Sequence, residues 1–283
     1  MTILLLHSGG TIAMAQTPAG LAPQAGIVEA AIKAALPEGQ DLRTVVFDPL
    51  LDSADVGPAE WNRFLDLIDS HPDMPVILTH GTDTMAYTGA ALSQALAGHS
   101  RRVILCGSMV PLGFGGDAEG NLAQAIHAAL DPTLTGVMLA LAGKLLAADG
   151  LVKHDSHAHD AFRTVGQQIP HPPTRRRFET RRLAVLTLSP GVPAAMVEAA
   201  LNELDGAVLR IFGAGTMMSD PALIDVLSRA VGAGKRLRAV SQCETGGLVI
   251  GAYAAGAAIW TCGVENGGAE TPEAALIRLW LTD

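Results

Sequence analysis

Cysteine is nearly absent. Cys106, Cys243 and Cys262 make an odd count, and no two of them form a CxxC pair. That excludes a disulfide framework and fits free, mostly buried thiols in a reducing compartment. Positive charge is also short, with 19 Lys and Arg against 28 Asp and Glu, a net −9 at pH 7. A strongly acidic chain argues against a nucleic-acid or anionic-membrane partner. The local basic run Arg175-Arg176-Arg177 with Arg181-Arg182 reads as a solvated linker. No apolar stretch reaches transmembrane length, so no membrane partner is expected. Met1-Thr2 runs straight into Ile3-Leu4-Leu5-Leu6 without a basic n-region, and Gly9-Gly10 break that run. No signal peptide is therefore expected, and cytoplasmic residence is the simplest expectation.

Several chemical signatures are missing too. No GxxxxGK[ST] occurs, so phosphate cradling of the P-loop kind is unsupported. No GxSxG occurs, which counts against a Ser-His-Asp hydrolase. The turn after the first strand, SGGTIAMA, lacks GxGxxG and with it the dinucleotide fingerprint. His154, His157 and His159 cluster in a loop-like stretch without a second ligand group, so a surface tract is expected and no metal.

What is present is a globular, Ala- and Gly-rich chain of 283 residues, 49% hydrophobic and 17% charged. It is organised around Pro75–Ala97. Val76-Ile77-Leu78 is too short for a helix and is bounded by Pro75 and Gly81, as a buried parallel strand would be. Thr79, His80, Gly81, Thr82, Asp83 and Thr84 follow in one block, and then a helix-forming run. A helix N-cap explains one of Asp83 and Thr84 but not the whole block. The same order recurs. Strand 3–6 precedes His7-Ser8-Gly9-Gly10-Thr11, strand 44–47 precedes Asp52-Ser53-Ala54-Asp55, and strand 103–105 precedes Cys106-Gly107-Ser108. Residues 14–26 are small, polar and broken by Pro and Gly, which predicts a loop of the kind that serves as a lid. Alternating β and α with short turns predicts two doubly wound parallel α/β units, a larger flavodoxin- or Rossmann-like one at 1–165 and a smaller one at 183–283. The Pro- and Arg-rich segment 166–182 is the expected linker.

Ligands of open α/β sheets sit at the carboxyl ends of strands. In the first 110 residues those ends carry Thr11, Ser53 with Asp55, Thr82 with Asp83, and Ser108. Hydroxyls converging with a carboxylate and a lysine suggest nucleophilic attack on a carbonyl. A lysine placed beside Asp83 shuttles a proton if its pKa is lowered.

HSGGTIAMA together with HGTDTMAYTGAALS resembles the two signatures of the bacterial-type L-asparaginases, the asparaginase/glutaminase family. DSADVGPAEW, ILCGSMVPL, GDAEGNLAQAI and KHDSHAHDAF extend the likeness, and VSQC with GAYAAGAAI is similar to the cytoplasmic type I branch. The resemblance implies hydrolysis of L-asparagine to L-aspartate and ammonia through an acyl-enzyme, without metal or cofactor. It implies that Thr11 is the nucleophile and that Thr82, Asp83 and Lys153 form a proton-handling group. It assigns Gly10, Ser53, Ala54, Thr82, Asp83 and Ser108 to substrate binding, and a homodimer or homotetramer to the assembly. Two positions depart from the pattern. Leu21 stands where the mobile loop usually carries a tyrosine, and Thr216 stands where the C-terminal domain often has an asparagine. A glutaminase or dual amidase shares every motif. A non-catalytic amino-acid sensor on the same fold is a competing reading, and a nucleotide-binding α/β protein is a more distant one.

Overall fold

The computed structural model describes residues 1–167, 173–251, 253 and 256–283. Part of the expected linker, 168–172, lies outside the described residues, as do 252, 254 and 255 of the Gly/Ala-rich C-terminal stretch. The chain divides into two compact units, Met1–Gly166 and Gln167–Asp283.

The first unit opens with β1 (Thr2–Gly9), an almost wholly buried run that needs apolar residues on both faces. β2 (Met14–Thr17) and β3 (Gly20–Pro23) pair antiparallel. The segment expected as a loop is thus a hairpin. The Thr17 hydroxyl closes its turn by donating to the Gly20 carbonyl at 2.7 Å, local chemistry that Pro18 and Gly20 mask in the periodicity. Next come α1 (Ile27–Ala35), β4 (Asp41–Leu51), α2 (Pro58–Asp69), β5 (Val76–Thr79), α3 (Met85–Ala95), β6 (Arg102–Cys106), α4 (Ala118–Leu130), β7 (Gly136–Leu141) and β8 (Lys144–Ala147). The strands form one sheet in the order β4-β1-β5-β6-β7-β8, parallel except for β8 at the edge. In sheet-strand sequence this is 2-1-3-4-5 with an antiparallel addition, so the winding reverses between β1 and β5.

Alternation sorts the two layers. Ile3, Leu5, Ile77 and Ile104 pack with Val28 and Ile32 of α1 and with Leu122 and Ile126 of α4. The opposite face takes α2 and α3. Trp61, Phe64, Leu65 and Ile68 of α2 recur at helical spacing, and all are buried. Pro58 fits the first turn, and the Glu60 carboxylate accepts the Gly57 N–H at 3.0 Å. A separate ribbon, β9 (Leu151–Lys153) with β10 (Phe162–Thr164), closes the unit. α3 approaches its root so closely that a Cβ on Gly89 would lie 2.6 Å from the Ala148 carbonyl oxygen.

The second unit holds β11 (Leu183–Thr187), α5 (Ala194–Glu203), β12 (Gly206–Ile211), α6 (Pro221–Gly232), β13 (Arg236–Ser241), α7 (Ala257–Thr261), β14 (Glu265–Asn266) and α8 (Pro272–Leu281). Its sheet is parallel throughout, in the order β11-β12-β13-β14, so the winding runs one way. Ala207, Leu209 and Ile211 face Val197, Leu201, Leu223 and Leu227 of α5 and α6. The helix α8 lies against β11, β12 and β13. The arginine run is not wholly solvated, although Arg182 is exposed. Arg181 donates to the Leu279 carbonyl at 3.0 Å, the Arg175 N–H bonds the Leu281 carbonyl at 3.1 Å, and Phe178 meets Trp280 edge-on at 6.2 Å. The last carbonyls of a helix have no intrahelical donor, so cations and N–H groups settle there.

Candidate active site

The site grows from the reversal between β1 and β5. Gly10 has φ 92° and ψ 168°, a region only glycine enters readily. A Cβ on it would lie 2.6 Å from the Gly81 nitrogen and 2.7 Å from the His80 carbonyl carbon. The turn bearing Thr11 is therefore pressed against the turn bearing Thr82. Below them Ser8 donates to the Thr79 carbonyl at 2.5 Å, and His7 Nδ1 bonds the Thr79 hydroxyl at 2.7 Å. These bonds clamp the ends of the two strands together.

The turn after β4 joins from the other side. A Cβ on Gly81 would stand 2.6 Å from the Ser53 hydroxyl oxygen. Asp52 caps the short 3₁₀ turn 53–55 by accepting the Ala54 N–H at 2.9 Å, which leaves the Ser53 hydroxyl without a partner among the described residues. Thr84 is the residue before α3, yet its side chain makes no capping bond. It donates instead to the Ser53 carbonyl at 2.5 Å, so capping does not account for the polar block.

Lys153, which the sequence puts in a loop-like stretch, is the last residue of β9. Its Nζ reaches the Thr82 hydroxyl at 2.8 Å and an Asp83 carboxylate oxygen at 2.6 Å. Thr82 is buried, the lysine side chain is 17% exposed and the Asp83 side chain is 75% exposed. The three groups thus form a line from the buried floor of the site to solvent. Thr11 is half-buried, and its hydroxyl has no hydrogen bond among the described residues. Ser108 follows β6 and is buried, with its hydroxyl donating to the Val110 carbonyl at 2.6 Å. Its neighbour Gly107 lies against Thr82, where a Cβ would come within 3.5 Å of the threonine methyl.

Some supporting residues escape a reading of the sequence. The Asp117 carboxylate accepts the Met109 and Val110 N–H groups at 3.0 Å, and Asn121 donates to the Gly107 carbonyl at 2.9 Å, so the turn after β6 is held from the start of α4. His80 is buried. Its Nδ1 lies 2.7 Å from the Gly81 carbonyl and its Nε2 lies 2.9 Å from the Thr88 hydroxyl. Burial pushes its pKa down to about 4, so the ring is neutral at pH 7. Nothing in the local pattern flags Thr88 or Trp61, because apolar positions at helical spacing surround both. Leu21 is exposed on the hairpin. No group of three His, Cys, Asp or Glu able to hold a metal ion occurs among the described residues, His154, His157 and His159 included.

Fold and site define a two-domain parallel α/β protein with hydroxyl, ammonium and carboxylate groups gathered where the sheet reverses. Residues 2–177 match the family described as "Asparaginase, N-terminal", and residues 182–282 match "Glutaminase/Asparaginase C-terminal domain". The chain belongs to the asparaginase family. It is 29% identical to L-asparaginase 1 of Escherichia coli K12 over 98% of this chain and 90% of that protein. Its structure is similar to the thermostable L-asparaginase from Thermococcus kodakarensis, with TM-score 0.86 at 26% identity over 99% and 92% of the two chains. It is also similar to L-asparaginase I from Vibrio cholerae, with TM-score 0.84 at 30% identity over 99% and 92%.

Proposed function

We propose that this chain hydrolyses L-asparagine to L-aspartate and ammonia, with Thr11 as nucleophile. The observation that carries the reading is the Thr82–Lys153–Asp83 line, two contacts under 3 Å that span 70 residues or more of sequence. The Thr11 oxygen attacks the side-chain carbonyl carbon, its proton passes to the amide nitrogen, and that nitrogen leaves as ammonia. Water then cleaves the resulting ester and returns the hydroxyl. Each step needs a proton removed and later given back. An ammonium group has three donors, so Lys153 can hold Thr82 and Asp83 together. A proton leaving the Thr82 hydroxyl for the lysine requires the lysine to pass one on, and the exposed carboxylate at 2.6 Å accepts it. Free N–H groups of the glycine turns supply donors for the oxyanion.

The same carboxylate and Ser53 suit the α-ammonium and α-carboxylate of the substrate, with Gly10 and Ala54 lining the floor and Ser108 beside the amide. Ammonia release from asparagine and glutamine by the full chain tests this. Turnover on asparagine is expected to exceed that on glutamine, and no release from either amide would end the reading. Cytoplasmic residence is proposed on the three free cysteines, which suit a reducing compartment. Among the described residues no helix is long and apolar enough to cross a membrane. A symmetric homodimer or homotetramer is proposed because Val249, Ile250 and Tyr253 stand 57–60% exposed on one short stretch of the second unit. Sedimentation at micromolar concentration is expected to give at least twice the 29.2 kDa chain mass, and a fully active monomer would rule the proposal out.

A further inference from the structure

Three hydrogen bonds run in series from α2 to the catalytic turn. Trp61 Nε1 lies 3.0 Å from the Thr88 hydroxyl, that hydroxyl lies 2.9 Å from His80 Nε2, and His80 Nδ1 lies 2.7 Å from the Gly81 carbonyl. Donor chemistry fixes the direction of the series. A carbonyl only accepts, so the His80 proton sits on Nδ1. In the neutral ring Nε2 is then bare and accepts the Thr88 proton, and the Thr88 oxygen accepts from the indole, which can only donate. All three links are satisfied in one arrangement and in no other. Every side chain in the series is buried.

We propose that Thr88 and Trp61 are positioning residues for Thr82, acting through His80 on the Gly81–Thr82 peptide. A trans peptide is planar, with its C=O and N–H on opposite sides. Anchoring the Gly81 oxygen on His80 therefore turns the Thr82 N–H away from the histidine, and that N–H has no partner among the described residues. The same plane sets where the Thr82 side chain leaves the backbone, and so the 2.8 Å contact with Lys153. Aromatic packing backs the His80 ring. Phe64 meets the His80 ring edge-on at 6.5 Å, and Phe47 lies beyond it. A threonine hydroxyl at the first turn of α3 and an indole on α2 thus aim the catalytic turn from two helices at once. Misplacement of a reacting group by about 1 Å costs on the order of a hundredfold in rate.

The inference rests on the hydrolytic reading above, and wild-type ammonia release tests that reading separately. Thr88→Val keeps the shape and removes the hydroxyl. It is expected to lower kcat for asparagine at least tenfold while KM stays within threefold. Thr88→Ser restores the hydroxyl but loses a buried methyl, so kcat should return to within threefold of wild type although the melting temperature falls. A role in packing alone predicts the reverse order. Adding Trp61→Phe to Thr88→Val should change kcat no further, because the series is already cut, whereas independent packing losses multiply. If Thr88→Val does not fold, Trp61→Phe alone must lower kcat at least threefold. A fall of less than tenfold in a folded Thr88→Val enzyme overturns the proposal, as does a Thr88→Ser enzyme no better than Thr88→Val.

Discussion

Thr11→Ala and Thr82→Ala are each expected to lower kcat by about three orders of magnitude or more, because each removes an interaction made only on the way through the transition state. The two losses have different origins. Thr11 has an unpartnered hydroxyl, among the described residues, on a turn pressed against its counterpart, which suits a group that must leave one bonding state for another. Thr82 is held by Lys153 at 2.8 Å, which suits a group that relays a proton without moving. Thr11 is half-buried, so its truncation should shift the melting temperature by only a degree or two. Thr82 is buried and bonded to Lys153, so its truncation should lower it by a few degrees. Steady-state ammonia release beside thermal melting decides the matter. Turnover near wild type in either variant removes that threonine from the mechanism.

Gly10→Ala should damage stability as well as rate. The backbone at Gly10 lies where an L side chain costs about 1–3 kcal/mol. The new methyl would also meet the Gly81 nitrogen at 2.6 Å and the His80 carbonyl oxygen at 2.8 Å, where overpacking adds about 1–3 kcal/mol. The expected loss is about 3 kcal/mol, a Tm drop on the order of 8 °C for a chain of this size. Gly20→Ala is the natural comparison. It too has positive φ, but a Cβ there meets nothing within 4 Å. Denaturant unfolding of both variants tests the close approach, and equal stabilities would mean that the two turns are not pressed together as described.

Much of this site is legible in the sequence because parallel strands announce themselves as short apolar runs and their polar ends stand out against them. Thr11, Ser53, Thr82 and Ser108 are found that way, and the reversal of the sheet between β1 and β5 explains why the first and third of them meet. Lys153 is legible only through family resemblance. β9 is three residues long, and its histidine-rich continuation hides the alternation that pairs it with β10. The hairpin at 14–23 escapes notice because its turn depends on one threonine side chain. The arginine run reads as a solvated linker because its partners are the end carbonyls of α8, some hundred residues away. His80 is visible as part of the polar block, but its links to Thr88 and Trp61 join residues on different helices. Such pairings belong to tertiary packing and leave no period in the chain.

The ribbon that carries Lys153 stands apart from the sheet that carries the two threonines. The turns bearing Thr11 and Thr82 are assembled by neighbouring strands of the central sheet, whereas the lysine arrives on a hairpin outside that sheet, closing a loop of 71 residues onto Thr82. The β1–β5 pairing that brings the two threonine turns together spans 72 residues, so chain entropy alone does not rank the two closures. A chain caught with its sheet built and its ribbon undocked has both hydroxyls in place and no ammonium group to serve them. The proposed proton relay therefore depends on a three-residue strand pair that lies outside the central sheet.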